Sequence, residues 1–226
     1  MKPYVRNIET GAVERVVRRR LSEADMSALL TAQRAVTDAA SDESLYLAAS
    51  EDDFLRILRD GELWGFFAGG RLAAALALLP PGLGDGLGGY LDIPDNPTAV
   101  AELDRYFTAP AYRRNGLGSE LVRLAKRRAF ALGARGIAAT VSPRNHASIR
   151  ALVSGGGFRI RRARMLYGGR LRYIALAERD DDAVFTVFER YALEDVYGIT
   201  KMLARGYEGC AVYSDESGRY LWVAKH

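Results

Sequence analysis

Cysteine is almost missing from this 226-residue chain. Cys210 is the only one, so no internal disulfide can form and a reducing compartment is expected. Histidine is nearly as scarce, and His146 has no cysteine or second histidine near it, so no metal site is expected. Long apolar runs are lacking too. None approaches the roughly 18 residues of a membrane-spanning helix, and the start, MKPYVRNIETG, has no apolar stretch of a secretory leader. A cytoplasmic protein with no membrane partner is the expectation. Neither sign of charge dominates: 32 Lys and Arg stand against 28 Asp and Glu, a net +4. That mild basic bias suits a phosphate-bearing or acidic ligand and is too small to indicate nucleic acid. What is present, 49% hydrophobic and 27% charged residues, describes an ordinary globular protein. The length favours one main domain with a small appendage.

Hydrophobic periodicity divides the chain. VERVVRRR (Val13 to Arg20) reads as a strand, and Ser22 with Asp25 opens a helix over EADMSALLTAQRAV. TDAASDESLYLAA is loop-like. Ser50 caps a second helix, EDDFLRILRDG, which stops at Gly61. ELWGFFA and RLAAALALL flank Gly69-Gly70 as a hairpin. AELDRYFTAP (Ala101 to Pro110) is a strand, and Leu117 to Leu132 is an amphipathic helix with lysine and arginine on its outer face. IAATV is a short buried strand, SPRNHASIRALV a turn into a helix, and RIRRARMLY-GG-RLRYIALAE a hairpin. The six arginines from Arg159 to Arg172 on that hairpin could draw in an acidic or phosphate-bearing ligand, but a solvated strand face is the expectation. Residues 181–226 read strand (AVFTVF), helix, strand (CAVYS) and strand (RYLWVA).

Two glycine clusters raise the question of phosphate binding. Gly84, Gly86 and Gly89 satisfy G-x-G-x-x-G, but that dinucleotide fingerprint requires a helix to open at its end. The sequel LDIPDNP contains two prolines, so a flexible surface loop is expected instead. The second cluster, YRRNGLGSE, lies between a strand and a helix. The first N–H groups of a helix have no internal partner and carry partial positive charge. Gly116 and Gly118 let phosphates approach the amides of Gly116, Leu117, Gly118 and Ser119. Arg113 and Arg114, with Asn115 between them and the glycines, add charge to the same turn. A pyrophosphate would suit this geometry.

In its Arg-x-x-Gly-x-Gly spacing and its strand–turn–helix context, this stretch resembles the acyl-CoA site of the GNAT N-acetyltransferase superfamily. The likeness covers roughly Val13 to Glu178, and the order of elements agrees with it. It implies an α/β (α+β) fold: a mixed, mostly antiparallel sheet with flanking helices and a splayed central pair, AELDRYFT and IAATV. It implies acetyl-CoA as co-substrate, with pantetheine hydrogen-bonded along the splayed strands, at the backbone of Phe107 and Thr108. Asn145 and Ser148, with Gly157-Phe158 after them, fall where the family's pantetheine-side helix lies.

Transfer to an amine needs a base for the amine, an oxyanion donor and an acid for the thiolate. Glu102, eleven residues before Arg113, occupies the place of the family's general-base glutamate, and Asp104 lies two residues on. Two residues apart on a strand puts them on one face; pairing with nearby arginines is the alternative role for both. The family often carries a tyrosine seven residues after its asparagine, and here Leu152 stands there. Either the thiolate leaves unassisted, or Tyr167 or Tyr173 on the last hairpin is the candidate acid.

The resulting expectation is an acyltransferase of residues 1–180 that moves acetyl from acetyl-CoA to a small-molecule or protein amine by direct attack. Residues 181–226, a β-α-β-β extension, should dock on the core or on a neighbouring subunit, which leaves a homodimer open. Two alternatives are a catalytically weak acetyl-CoA-binding regulatory module and a nucleic-acid-associated acetyltransferase. The acceptor is expected between the first two helices' loop and the closing hairpin.

Overall fold

The computed structural model describes residues 3–91, 97–181 and 183–225. Most of LDIPDNP, read above as loop, lies outside them. The hairpin around Gly69-Gly70 forms as expected, from β3 (Glu62–Ala68) and β4 (Arg71–Leu79). After Arg71 every residue of β4 is buried, because a strand covered on both faces reads as a continuous apolar run. Its Ala74, Leu76 and Leu78 belong to one apolar layer and its Ala75, Ala77 and Leu79 to the other.

The first helices begin where their caps were read. Before α1 (Met26–Asp38), the Asp25 carboxylate accepts the Ser22 backbone N–H at 3.0 Å. Arg19 grips the same carboxylate, Nη1 to Oδ2 at 2.7 Å, and holds its pKa down at about 2. At α2 (Glu51–Asp60) the Ser50 hydroxyl accepts the Asp53 N–H at 3.1 Å and the Asp53 carboxylate accepts the Ser50 N–H at 2.9 Å. Both helices cover one face of the sheet, packing Leu29, Val36, Phe54 and Ile57 against the second layer of β4. On the other face lie α3 (Leu117–Ala131) and α4 (His146–Arg150), which contribute Leu121, Val122, Ala125 and Ile149.

Among the described residues the remaining strands are β1 (Tyr4–Arg6), β2 (Val13–Arg20), β5 (Val100–Thr108), β6 (Gly136–Val141), β7 (Arg159–Leu166), β8 (Arg170–Glu178), β9 (Val187–Ala192), β10 (Glu208–Asp215) and β11 (Gly218–Lys225). They form one sheet in the order β1-β2-β3-β4-β5-β6-β8-β7-β10-β11-β9. Neighbours are antiparallel except β5 and β6, whose parallel pairing runs from Val100↔Gly136 to Leu103↔Ala139 and then stops. This is the expected splay. β1 was not foreseen, since three residues carry no periodicity.

In the C-terminal segment, the strand expected at AVFTVF lies four residues later, at Val187–Ala192. Its ladder is fixed by β11, from Val187↔Lys225 to Ala192↔Tyr220, and residues before Val187 run beyond Lys225, where β11 ends. The segment meets the rest of the sheet at one pair, Gly209↔Ile160. The helix α5 (Val196–Ala204) adds Ile199, Met202 and Leu203 to the main apolar layer.

The expectation of a solvated arginine face fails at two positions. Arg159 is 8% exposed and Arg172 only 3%. Arg159 is surrounded by carboxylates: Nη2 lies 2.9 Å from Glu178, Nη1 2.8 Å from Asp181 and Nε 3.0 Å from Glu208. Arg172 has no such company. The side chains of one β-hairpin diverge in this way because burial is decided by what packs over each position, which arginine count does not reveal.

Candidate active site

The turn before α3 is built by backbone conformation. Gly116 is the N-cap residue of α3 and has φ +79°, and Arg114 before it has φ +63°. A left-handed N-cap directs the following N–H groups outward, and glycine adopts it without a Cβ penalty. Gly118 has an ordinary φ. A Cβ built there would meet Ala151 Cβ at 3.7 Å and Thr108 Oγ1 at 4.0 Å, ordinary van der Waals contact, so the protein itself could accommodate a methyl group there. Arg113 and Arg114 are exposed, and neither guanidinium makes a hydrogen bond or ion pair within the described residues. Asn115 is committed elsewhere: its carboxamide accepts the Arg6 N–H at 2.9 Å and donates to the Arg6 carbonyl at 2.7 Å, bracing β1 on the turn. Arg114, Gly116, Ser119, Arg123 and Arg150 line one depression. Arg123 and Arg150 were missed by the motif reading because they lie outside the turn.

Behind this turn runs the gap between β5 and β6. Phe107 and Thr108 flank it on β5, Phe107 buried and edge-on to Tyr46 with ring centroids 6.0 Å apart. Asn145 caps α4, accepting the Ser148 N–H at 3.0 Å, and donates to the Leu45 carbonyl at 3.0 Å. Its carboxamide therefore ties α4 to the loop between α1 and α2. The Ser148 carbonyl accepts the Tyr106 hydroxyl at 3.1 Å.

The two carboxylates have different surroundings. Arg105 pairs with Ala77 and Leu103 with Leu78, so Asp104 is an extra, bulged residue without a partner on β4. Simple alternation therefore does not relate Glu102 to Asp104; what they share is the nearby charge of Asp85. Glu102 is capped by the loop carrying the first glycine cluster, accepting the Asp85 N–H at 2.8 Å and the Leu87 N–H at 2.7 Å. A Cβ at Gly84 would stand 2.2 Å from its carboxyl carbon. The loop read as flexible surface thus wraps an anion after all, and the anion belongs to the protein. Burial outweighs these N–H donors and raises the Glu102 pKa.

Asp104 opens into a cleft lined also by Tyr46, Arg105, Tyr106, Tyr167 and Arg172. Its side chain is 6% exposed, Oδ1 accepts from Arg105 Nη1 at 3.0 Å, and buried Oδ2 has no partner among the described residues. Burial raises its pKa against the pull of Arg105. Tyr46 and Tyr106 are engaged by protein acceptors, Gln33 and Ser148. Tyr167 shares a 3.3 Å hydrogen bond with Thr140, and burial raises its pKa. Tyr173 is excluded from this cleft: it is fully buried in the main core cluster on the other face, with Thr200 of α5 beside its hydroxyl. Leu152 is core as well. Of the cleft residues, Tyr46 and Arg105 were not singled out by sequence reasoning, and Arg172 was read only as one of the basic hairpin's arginines.

The structure thus combines a sheet opened by a splayed parallel pair, a glycine turn that opens α3 and a buried carboxylate in the cleft. The family model for the acetyltransferase (GNAT) family matches residues 25–158, and the chain belongs to that family. No curated protein sequence matches it. Solved structures share its fold: a GNAT-family acetyltransferase from Streptococcus pneumoniae (19% identity, TM-score 0.52, covering 72% of this chain and 98% of its own), and yncA from Salmonella typhimurium, solved with acetyl-CoA (19%, 0.53, 76% and 98%). The aminoglycoside acetyltransferase AAC(6')-Ib, in complex with coenzyme A and kanamycin, is similar to the same extent (17%, 0.54, 73% and 95%). At these identities the likeness is one of fold. Among the described residues no helix is long and apolar enough to cross a membrane.

Proposed function

We propose that this protein transfers acetyl from acetyl-CoA to a primary amine by direct attack, with residues 1–180 as the catalytic unit and 181–226 as an extension docked on it. The observation that carries this reading is the cleft at the end of the β5–β6 pairing, where a buried, bulged Asp104 keeps one carboxylate oxygen free. Acetyl-CoA fits the adjoining turn. Its pyrophosphate would lie on the amides of Gly116 to Ser119, with Arg113 and Arg114 beside it, and its pantetheine would follow the β5 backbone at Phe107 and Thr108. When bound it supplies the thioester.

Asp104 takes a proton from the amine, which is otherwise mostly charged near neutrality if it resembles lysine. A raised pKa makes it a stronger base than an exposed aspartate. The neutral amine nitrogen would then bond to the thioester carbon as the C–S bond breaks; the Tyr167 hydroxyl would protonate the departing sulfur, and the second proton that the nitrogen sheds on becoming an amide would return to the Tyr167 oxygen through water. Glu102, held by backbone N–H groups, shapes the loop beside Asp104. Release of free thiol from acetyl-CoA across a panel of amines tests the reaction directly; a protein that binds CoA and releases none with any amine would be a binding module instead.

Two residues give sharper outcomes. Tyr167→Phe is expected to lower kcat by about tenfold with little change in KM, and an unchanged kcat assigns the proton elsewhere. Gly118→Ala is expected to act with opposite signs on the free and bound protein. Alanine fits the space and favours the helix by about 0.5–1 kcal/mol, so the melting temperature should rise. With the pyrophosphate on the amides of this turn, as proposed, the added methyl would crowd it, so calorimetry with CoA should show affinity about tenfold weaker. Equal CoA affinity in both proteins would move the phosphates off Gly118.

A further inference from the structure

The buried arginines of the β7–β8 hairpin form a natural comparison. Arg159 has each of its guanidinium nitrogens against a carboxylate. Arg172 is buried more deeply, at 3% exposure, yet no carboxylate among the described residues lies within ion-pairing distance of it. Its one hydrogen bond runs from Nη1 to the Ser44 carbonyl at 2.7 Å, and Nε and Nη2 have no partner. Those two nitrogens form the side edge of the guanidinium, which takes a carboxylate by two parallel N–H···O bonds. The charged and titratable groups that influence it are Arg170, of like sign, Tyr167 and Asp42. An isolated buried cation costs several kcal/mol, and proteins rarely keep one without a use for it.

The place of this arginine decides the use. Arg172 lines the same cleft as Asp104. The other arginine there, Arg105, has Nη1 on Asp104, so those two charges offset each other and Arg172 is left as the cleft's uncompensated charge. Resting on the acetyl-transfer reading, we propose that the acceptor is a small amine that also carries a carboxylate, such as a free amino acid. Its carboxylate seats on the Nε–Nη2 edge of Arg172 while its amine faces Asp104. The loop from Asp42 to Leu47, pinned by Arg172 at Ser44 and by Asn145 at Leu45, covers this end of the cleft. An amine with a second positive charge, or none to offset Arg172, is disfavoured in the same place.

Matched substrate pairs test this: phenylalanine, leucine and glutamate, each against its α-carboxamide, with acetyl-CoA and a free-thiol readout. In the unaltered protein kcat/KM should favour the carboxylate member by roughly 100-fold, the worth of a buried, charge-assisted fork. In Arg172→Met that ratio should collapse towards one, and in Arg172→Lys, a point charge without the fork, it should be intermediate. Removing the lone charge should also raise the melting temperature of the Met variant. A second readout needs no turnover: millimolar N-acetyl amino acids should raise the melting temperature of the CoA-bound protein, but not that of CoA-bound Arg172→Met. Preference for the carboxamides, or a ratio unmoved by Arg172→Met, overturns the proposal. If no amine is acetylated but N-acetyl amino acids stabilise only the protein with Arg172, the transferase reading fails and the carboxylate site stands. If they stabilise neither, the site fails too.

Discussion

Asp104→Asn should lower kcat/KM by about 10²- to 10⁴-fold and, in the same preparation, make the protein harder to melt. The first effect follows from losing a cleft carboxylate oxygen that has no partner among the described residues. The second follows from the direction of its pKa. Burial raises the Asp104 pKa above its ordinary value of 3.8, so the folded state binds this proton more tightly than the unfolded state. Such a group favours folding fully below the unfolded value, and its contribution fades as pH rises through the folded pKa. Near pH 7 the ionised, half-partnered carboxylate is a burden that asparagine removes. The melting-temperature gain should therefore be small near pH 4 and grow towards pH 8. The rate should mirror it, with kcat/KM rising with pH along a limb set above the ordinary aspartate value. Glu102→Gln is the control: burial raises the Glu102 pKa as well, so removing its charge brings a gain of the same sign, but a hydrogen-bond cost is set against it. Both Glu102 oxygens accept backbone N–H groups, so an amide would turn an NH₂ towards one of those donors and cost about 1–3 kcal/mol. If Glu102→Gln abolishes turnover without loss of stability while Asp104→Asn is active, the base is Glu102.

The division between these two acids was beyond the sequence, and the reason is local. Alternation on AELDRYFT relates residues 102 and 104 only while the strand is regular, and the bulge at Asp104 has no composition of its own. The first glycine cluster misled for a related reason. G-x-G-x-x-G does mark amides ready for an anion, but the anion comes from β5, fifteen residues away at Leu87, and no local pattern names it. By contrast, what depends on periodicity was legible: the capped α1 and α2, the all-apolar β4 and the glycine turn that opens α3. The arginine-rich hairpin lies between these cases. Its strands were plain, yet nothing in RIRRARMLY-GG-RLRYIALAE tells the buried Arg159 and Arg172 from the half-buried or exposed arginines beside them. Their fates are set by Glu208, which arrives from β10, and by the loop at Ser44.

Arg159→Leu should be the most destabilising single change in the C-terminal third, about 3–5 kcal/mol, which corresponds to a melting temperature lower by roughly 10 °C. The substitution strips Glu208, itself 8% exposed, of its Nε contact, and leaves Glu178 and Asp181 short of a cation. Arg161, within 3.0 Å of Glu208 and 3.2 Å of Glu178, offsets part of that loss. The network also has a mechanical place. Between β7 and β10 the sheet is joined at the single pair Gly209↔Ile160, so the ion cluster and the apolar contacts of α5 carry most of the junction. Limited proteolysis of Arg159→Leu should therefore release residues 187–225 before the rest of the chain is cut. A double-mutant cycle separates charge from packing. Arg159→Leu with Glu208→Leu removes both members of the buried pair and should recover a substantial part of the loss, because neither charge is then stranded. If the single change leaves the melting temperature where it was, the cluster is surface decoration and the extension is held by its apolar face alone.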